Sequence, residues 1–280
     1  MGGTASGSAL DAGCVVRSVI RPPAVAGIFY PEDAAILTKT LRRLLNSARL
    51  RACHGSVPKA IIVPHAGYLY SGPVAASAYA RVATAKSRVH RVVILGPAHT
   101  VALERIAASS ADAFSTPLGV LEVDSALRDA VIEDGLVSVS DLAHVAEHSL
   151  EVQLPFIQFV LGRVNVLPLV VGAVPTSAVA ELLDRVWGGP ETLAVVSTDL
   201  SHYHDHETTR RLDGRTAAAI VARNPEGVAP SDACGFYALR GLLAVAARRD
   251  MEVELLDLRT SADTVGDPTR VVGYGSFALA

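Results

Sequence analysis

Cysteine is scarce in this 280-residue chain: Cys14, Cys53 and Cys234 are the only three, with no CxxC or other paired spacing. That argues against a disulfide-built scaffold and fits a reducing cytoplasm. Long apolar runs are also missing. The longest, such as "VNVLPLVVGAV" at residues 164–174, fall far short of the ~20 residues a membrane span needs. There is no surplus of basic charge either, with 25 Lys and Arg against 28 Asp and Glu. No basic stripe offers a phosphate footprint, which excludes a nucleic-acid binder. The opening "MGGTASGSALDAG" lacks the basic-then-apolar order of a secretory signal, so a cytoplasmic location is expected.

What the chain does have is apolar material, 50% of its residues, enough for one large core. Residues 1–18 are rich in Gly, Ser and Ala without periodicity and read as a flexible tail. Beyond them, short apolar runs alternate with helical patterns. "KAIIVPHAG", "RVVILGPAH", "VNVLPLVVG", "TLAVVSTDLSH" and the closing "RVVGYGSFAL" read as strands. "DAAILTKTLRRLLNSARL", "SGPVAASAYARVAT", "TSAVAELLDRVW", "LDGRTAAAIVARN" and "GFYALRGLLAVAARR" read as helices. Apolar strands alternating with helices predict a single α/β domain over residues 19–280, with a mixed, largely parallel central sheet flanked by helices. "SSADAFSTPLGVLEVD" reads as an antiparallel insertion, because Pro-Leu-Gly between short strand-like runs marks a turn.

The polar chemistry gathers at strand ends. His65 follows "AIIVP", His99 follows "VVILGPA", and Asp199 and His202 follow "LAVVST". Open α/β sheets bind ligands outside the carboxyl ends of their strands, so these residues are expected to face one cleft. A single loop histidine is ordinarily structural or solvated; three at corresponding strand ends favour a site. His148 and Glu151 in "EHSLE" share a face if the segment is helical. They either point into the site or form a polar helix start. His54, His90 and His144 lie in polar connections and read as surface residues. Cys234 precedes a helix, where a thiol is expected to have a lowered pKa; the alternative is a small buried residue. "STDLSH" reads as a strand leaving into a loop, with His204 and His206 at the surface.

The ordered motifs "RPPAVAGIFYPED", "VPHAGYLYSGPVAA", "VVILGPAHT", "STPLGVLEVD", "EHSLEVQLPF", "VVSTDLSHY", "ACG" and "VVGYGSFAL" resemble the Memo family over residues 21–280. Its bacterial and archaeal members are called AmmeMemoRadiSam system protein B. The resemblance implies a fold similar to LigB-type class III extradiol ring-cleavage dioxygenases, which are non-haem Fe(II) enzymes. It implies His65, His99 and Cys234 as metal ligands and Asp199 and His202 as pocket residues. His202 stands where the dioxygenases have an acid/base histidine, and His148 is a further pocket residue. Cysteine in place of the dioxygenase carboxylate makes a softer ligand set, suited to Fe(II), copper or zinc.

Two classes of function follow from the resemblance. One is a metal-dependent redox enzyme acting on a small molecule. The other is a non-catalytic partner protein that reuses the enzyme pocket, or a metal buffer. Eukaryotic relatives are described as binding phosphotyrosine peptides in receptor-driven motility. The bacterial system name associates the family with a radical SAM protein and a companion.

Overall fold

The five apolar runs become strands of one sheet in a computed structural model that describes residues 18–49, 56–265 and 267–280. Most of the tail expected over residues 1–18 lies outside the described residues, as do Cys14, Cys53 and His54. In chain order the elements begin with β1 (Ile20–Arg21), α1 (Ala34–Arg49), β2 (Ala60–Val63), α2 (Gly72–Val82), β3 (Arg91–Pro97) and β4 (Ile106–Ala108). Next come β5 (Ala113–Thr116), β6 (Gly119–Glu122), α3 (Ser125–Glu133), β7 (Ser138–Val139), α4 (Asp141–Val145) and α5 (Leu154–Leu161). The remainder is β8 (Asn165–Val171), α6 (Thr176–Val186), β9 (Thr192–Ser197), β10 (His202–His204), α7 (His206–Val221), α8 (Phe236–Arg248), β11 (Val253–Thr260) and β12 (Val271–Leu279).

The large sheet runs β12-β2-β9-β3-β8-β4-β7, with β10 and β11 also paired to β12. Its centre, β2-β9-β3-β8, is parallel. β12 and β4 add antiparallel edges to that core. Alternate residues of each central strand fall into separate cores. Ile61, Val92, Ile94 and Val195 pack under α1, α2 and α5. Ile62, Val93, Leu95 and Val196 pack under α6 and α8. Both faces are therefore apolar, which is why these strands read as unbroken runs. Each fully buried Leu or Ile contributes about 1.5–3 kcal/mol. The expected insertion is present as the β5–β6 hairpin, to which β1 adds a parallel strand.

The topology opens a crevice where the site chemistry lies. After β2 the chain turns to α2 on one face of the sheet; after β9 it turns through β10 to α7 on the other. Adjacent parallel strands whose connections part to opposite faces leave a gap at their carboxyl ends. His65 and Asp199 stand on its two sides.

Two surface expectations differ in the structure. His144 is buried, 1% exposed. Its Nε2 donates to the Ala107 carbonyl at 3.0 Å, and its own carbonyl accepts from Arg21 Nη2 at 2.8 Å. "STDLSH" does leave β9, but the chain re-enters the sheet as β10, antiparallel to β12. Pairing with the closing strand, which lies far away in sequence, overrides the local loop signal.

His144 yields a pH prediction. Burial, the largest influence, pushes its pKa down to about 4, against 6.5 ordinarily. The unfolded chain thus binds this proton first as pH falls. The stability from the neutral ring is complete above pH ~6.5 and lost on the way down to ~4. Relative to a His144→Asn variant, the protein should lose about 3 kcal/mol of unfolding free energy between pH 7 and 4. Urea titrations of both proteins at a series of pH values measure this; parallel pH profiles would contradict it.

Candidate metal centre

His65 follows β2 through Pro64 and is 1% exposed. Its tautomer follows from counting donors. The single Ser197 hydroxyl hydrogen goes to the Ser149 carbonyl at 2.6 Å. Gln153 Nε2 donates to Ser197 Oγ at 2.9 Å and to the Pro64 carbonyl at 3.0 Å. Gln153 Oε1 accepts from the Tyr79 hydroxyl at 3.0 Å, which fixes the amide. The remaining bond at Ser197 Oγ, 2.9 Å from His65 Nδ1, must be donated by the ring. Nε2 is left with its lone pair free for a ligand. Burial first, then neighbouring His99 and His148, holds the His65 pKa well below its ordinary value. The ring is therefore neutral at pH 7.

His99 follows β3 and is held by Glu147. The two Glu147 oxygens accept from His99 Nδ1 at 2.9 Å and from its backbone N–H at 2.6 Å. The backbone N–H groups of His148 and Ser149 also donate to Oε1. Burial raises the Glu147 pKa, but these hydrogen bonds, led by that from the His99 ring, outweigh it and bring the pKa down to about 2. An ionised carboxylate only accepts, so His99 Nδ1 carries the hydrogen.

His148 arrives on the connection between α4 and α5. Its ring stacks on His99 with centroids 4.6 Å apart and meets His65 edge-on at 5.4 Å. Phe29 lies against it at 4.7 Å. Burial again lowers its pKa. The candidate ligand atoms of His65, His99 and His148 all lie within 4.8 Å of one another.

Cys234 stands at the edge of this set, its Sγ 3.3 Å from His65 Nε2. The thiol accepts from Asp199 N–H at 3.2 Å. Gly235 N–H, at the start of α8, donates to Thr198 Oγ1 at 2.8 Å. Gly235 is required there, because a Cβ would fall 2.6 Å from Thr198 Cβ. The expected lowering of the thiol pKa is corrected: burial, followed by the Asp199 charge, pushes it up to about 12. Hydrogen bonds from Asp199, Thr198 and Gly235 oppose this, but desolvation dominates. A bound cation would reverse this, since a coordinating thiol is deprotonated.

Asp199 accepts the His65 backbone N–H at 2.7 Å. Burial raises its pKa, against the opposing effects of that bond and of His202. His202 is half-exposed on β10, and its charge is felt by both His65 and Asp199. His204 is exposed. His206 turns away to Thr260 Oγ1 at 2.9 Å. Tyr203, with φ 66°, bends the strand between His202 and His204. The three local histidines do not form a box.

Glu151 does not share the site with His148. The segment is a turn leading into a short 3-10 helix, and the carboxylate points the other way. It pairs with buried Arg21 and accepts from Tyr30 hydroxyl at 2.7 Å, Ala24 N–H at 2.7 Å and Val25 N–H at 3.0 Å. No sequence pattern marks Glu147, Ser197 and Gln153 as the residues that orient these rings. Only the acidic neighbour in "EH" hints at one of them, Glu147.

A family model for Memo-like protein matches residues 21–278. The chain belongs to the Memo family. A MEMO1 family protein of Aquifex aeolicus is 35% identical over 266 residues, covering 91% of this chain and 97% of that protein. One from Methanothermobacter thermautotrophicus is 34% identical, covering 93% and 100%. One from Thermotoga maritima is 35% identical, covering 92% and 99%. An uncharacterized protein of Escherichia coli K12, of known crystal structure, superposes with a TM-score of 0.49 at 12% identity over 79% of this chain and 99% of that one. A likeness at that level adds nothing to the family assignment.

The donors of this Memo-family chain fit a metal. Imidazoles whose Nδ1 atoms are tied to a carboxylate or a hydroxyl, as in His99 and His65, match the outer-sphere support of metal-binding histidines. Replacing Glu147 with Gln should therefore weaken metal binding about 10–100-fold. Competition with a chromophoric chelator measures it; unchanged affinity would remove Glu147 from the support.

Proposed function

We propose that the protein is a metal-dependent redox enzyme acting on a small substrate, with Fe(II) as its metal and copper or zinc as alternatives. The observation that carries this reading is the convergence of His65, His99 and His148 beside the Cys234 thiol. Imidazole with thiolate suits redox-active iron or copper. Bound iron would supply one-electron and O₂ chemistry. His65 and His99 hold the metal, with Cys234 or His148 completing the set. Ser197 and Glu147 keep the two imidazoles aimed. His202, half-exposed and electrostatically linked to Asp199, takes or returns a substrate proton, a task an imidazole beside a buried carboxyl suits. A cavity of about 220 Å³ opens beside Cys234, lined by Ala98, Val101, Leu103, Val171, Ala173 and Tyr237. Its size supports a small molecule as substrate. Among the described residues no helix is long and apolar enough to cross a membrane.

Anaerobic purification followed by elemental analysis tests the metal, and O₂ uptake with added catechols tests the chemistry. Iron or copper should be present, and uptake should fall at least about 100-fold in His202→Ala, the lower range for a general acid or base. Metal content should be unchanged in the doubly substituted His204→Ala, His206→Ala protein. A wild-type protein free of iron and copper, or uptake indifferent to His202, would overturn the reading.

A further inference from the structure

Helix α7 packs on the sheet through an unusual stripe. Thr209, Asp213 and Thr216 are buried along one face, each no more than 2% exposed. Charged side chains are almost never fully buried without a partner. Asp213 has only half of one: its Oδ1 accepts the Ser201 backbone N–H at 3.0 Å, while buried Oδ2 has no hydrogen-bond partner. Ser201 Oγ and Thr209 Oγ1 are likewise buried without partners. Asp213 also sits against the backbone of β12. A Cβ built on Gly273 would fall 1.6 Å from Asp213 Oδ2, so only glycine there admits the carboxyl.

The bond to Ser201 matters because of the segment it holds. Between β9 and β10 each backbone N–H has a distinct tether. Thr198 N–H reaches the Val63 carbonyl at 2.8 Å and Asp199 N–H reaches Cys234 Sγ at 3.2 Å. Leu200 N–H reaches the Gly273 carbonyl at 2.9 Å. Ser201 N–H has only Asp213. A buried N–H without its acceptor costs about 1–3 kcal/mol, so loss of Asp213 pushes the chain to rearrange at this point. The residue next to it is His202, and two before it is Asp199.

We propose that Asp213 is a positioning residue for the proposed reaction, holding Ser201 through the space left by Gly273 and so placing His202 and Asp199 over the metal centre. This rests on the redox reading for what His202 does, not for where it stands. The groups whose charges reach Asp213 are Asp232 and His204, both outside the metal set.

The test uses the metal-free protein, labelled at histidine and backbone nitrogen, so it proceeds whether or not the metal assignment holds. In wild type the Ser201 amide should be protected from hydrogen exchange at least about 100-fold more than the amide of exposed His204, as a closed buried bond requires. In Asp213→Ala the Ser201 protection should collapse, and the His202 ring resonances and titration midpoint should shift by about half a unit or more. Asp213→Asn keeps an acceptor oxygen and should restore both to near wild type. Metal content, measured separately, should be the same in all three proteins. The proposal is overturned if wild-type Ser201 exchanges as fast as His204, a result that does not depend on whether the alanine variant folds. It is equally overturned if His202 titrates alike in wild type and Asp213→Ala, or if asparagine fails to rescue. A wild type that binds no iron or copper would instead sink the redox reading and leave the placement intact.

Discussion

Replacing His65 with alanine should reduce metal affinity by more than about a hundredfold, beyond the 10–100-fold that loss of an outer hydrogen-bond partner costs. The reason lies in how completely this ring is committed. Its Nδ1 hydrogen is consumed by Ser197, whose other bonds go to Ser149 and Gln153, so the ring has one orientation and one free atom. That atom touches the Cys234 thiol, and the ring belongs to the three-histidine set. Truncation removes a ligand and the centre of both groupings at once. It also leaves Ser197 Oγ short of one donor. Dialysis against metal-free buffer followed by elemental analysis should show wild type retaining its ion and the variant losing it. Metal retained at wild-type stoichiometry would place the centre elsewhere. Ser197→Ala should sit between the two, because it frees the ring to turn without removing it.

The second large effect concerns stability, at Glu151. Its side chain is fully buried and pairs with Arg21, itself 7% exposed. Three further donors converge on the same carboxylate, from Tyr30, Ala24 and Val25. Truncating one partner of a buried pair strands the other charge, which costs about 3–5 kcal/mol. Glu151→Ala should therefore lower Tm by roughly 10 °C for a domain of this size. Denaturant titration and a thermal melt measure it. A change under about 1 kcal/mol, the range of an exposed pair, would show that the pair is not held out of water. Glu151→Gln should recover part of the loss, since the amide oxygen still accepts from Tyr30 and one backbone N–H.

Much of the fold is legible in the sequence because the central strands are buried on both faces. "AIIV", "RVVILGP" and "TLAVVS" cannot be anything amphipathic, and their polar ends announce the carboxyl edge. β11 escapes notice for the opposite reason. "VELLDLRT" is an edge strand with seven residues half-buried and exposed in mixture, so neither a period of two nor an unbroken run stands out. The site divides in the same way. His65, His99 and Asp199 are legible as strand-end residues on neighbouring parallel strands. His148 enters the ligand set from a connection whose path is fixed by tertiary contacts, and its spacing from Glu151 suggests a helix that does not form. Glu151 and Arg21 lie 130 residues apart, and no local pattern joins them. The thiol of Cys234 shows the limit of a local rule. A place before a helix predicts a reactive thiolate, whereas the packed surroundings make it a reluctant acid until a cation arrives.

The antiparallel β12 gives the centre a place in time as well as in space. It supplies the Gly273 carbonyl that holds Leu200, the strand against which His202 is laid, and the neighbour that closes β2. All three contacts join residues made late in translation to residues made much earlier. Such distant pairings form slowly, after local helices. His65 and His99, which follow β2 and β3, thus leave the ribosome well before the strand that completes their surroundings. A metal held by these residues would therefore enter a finished chain.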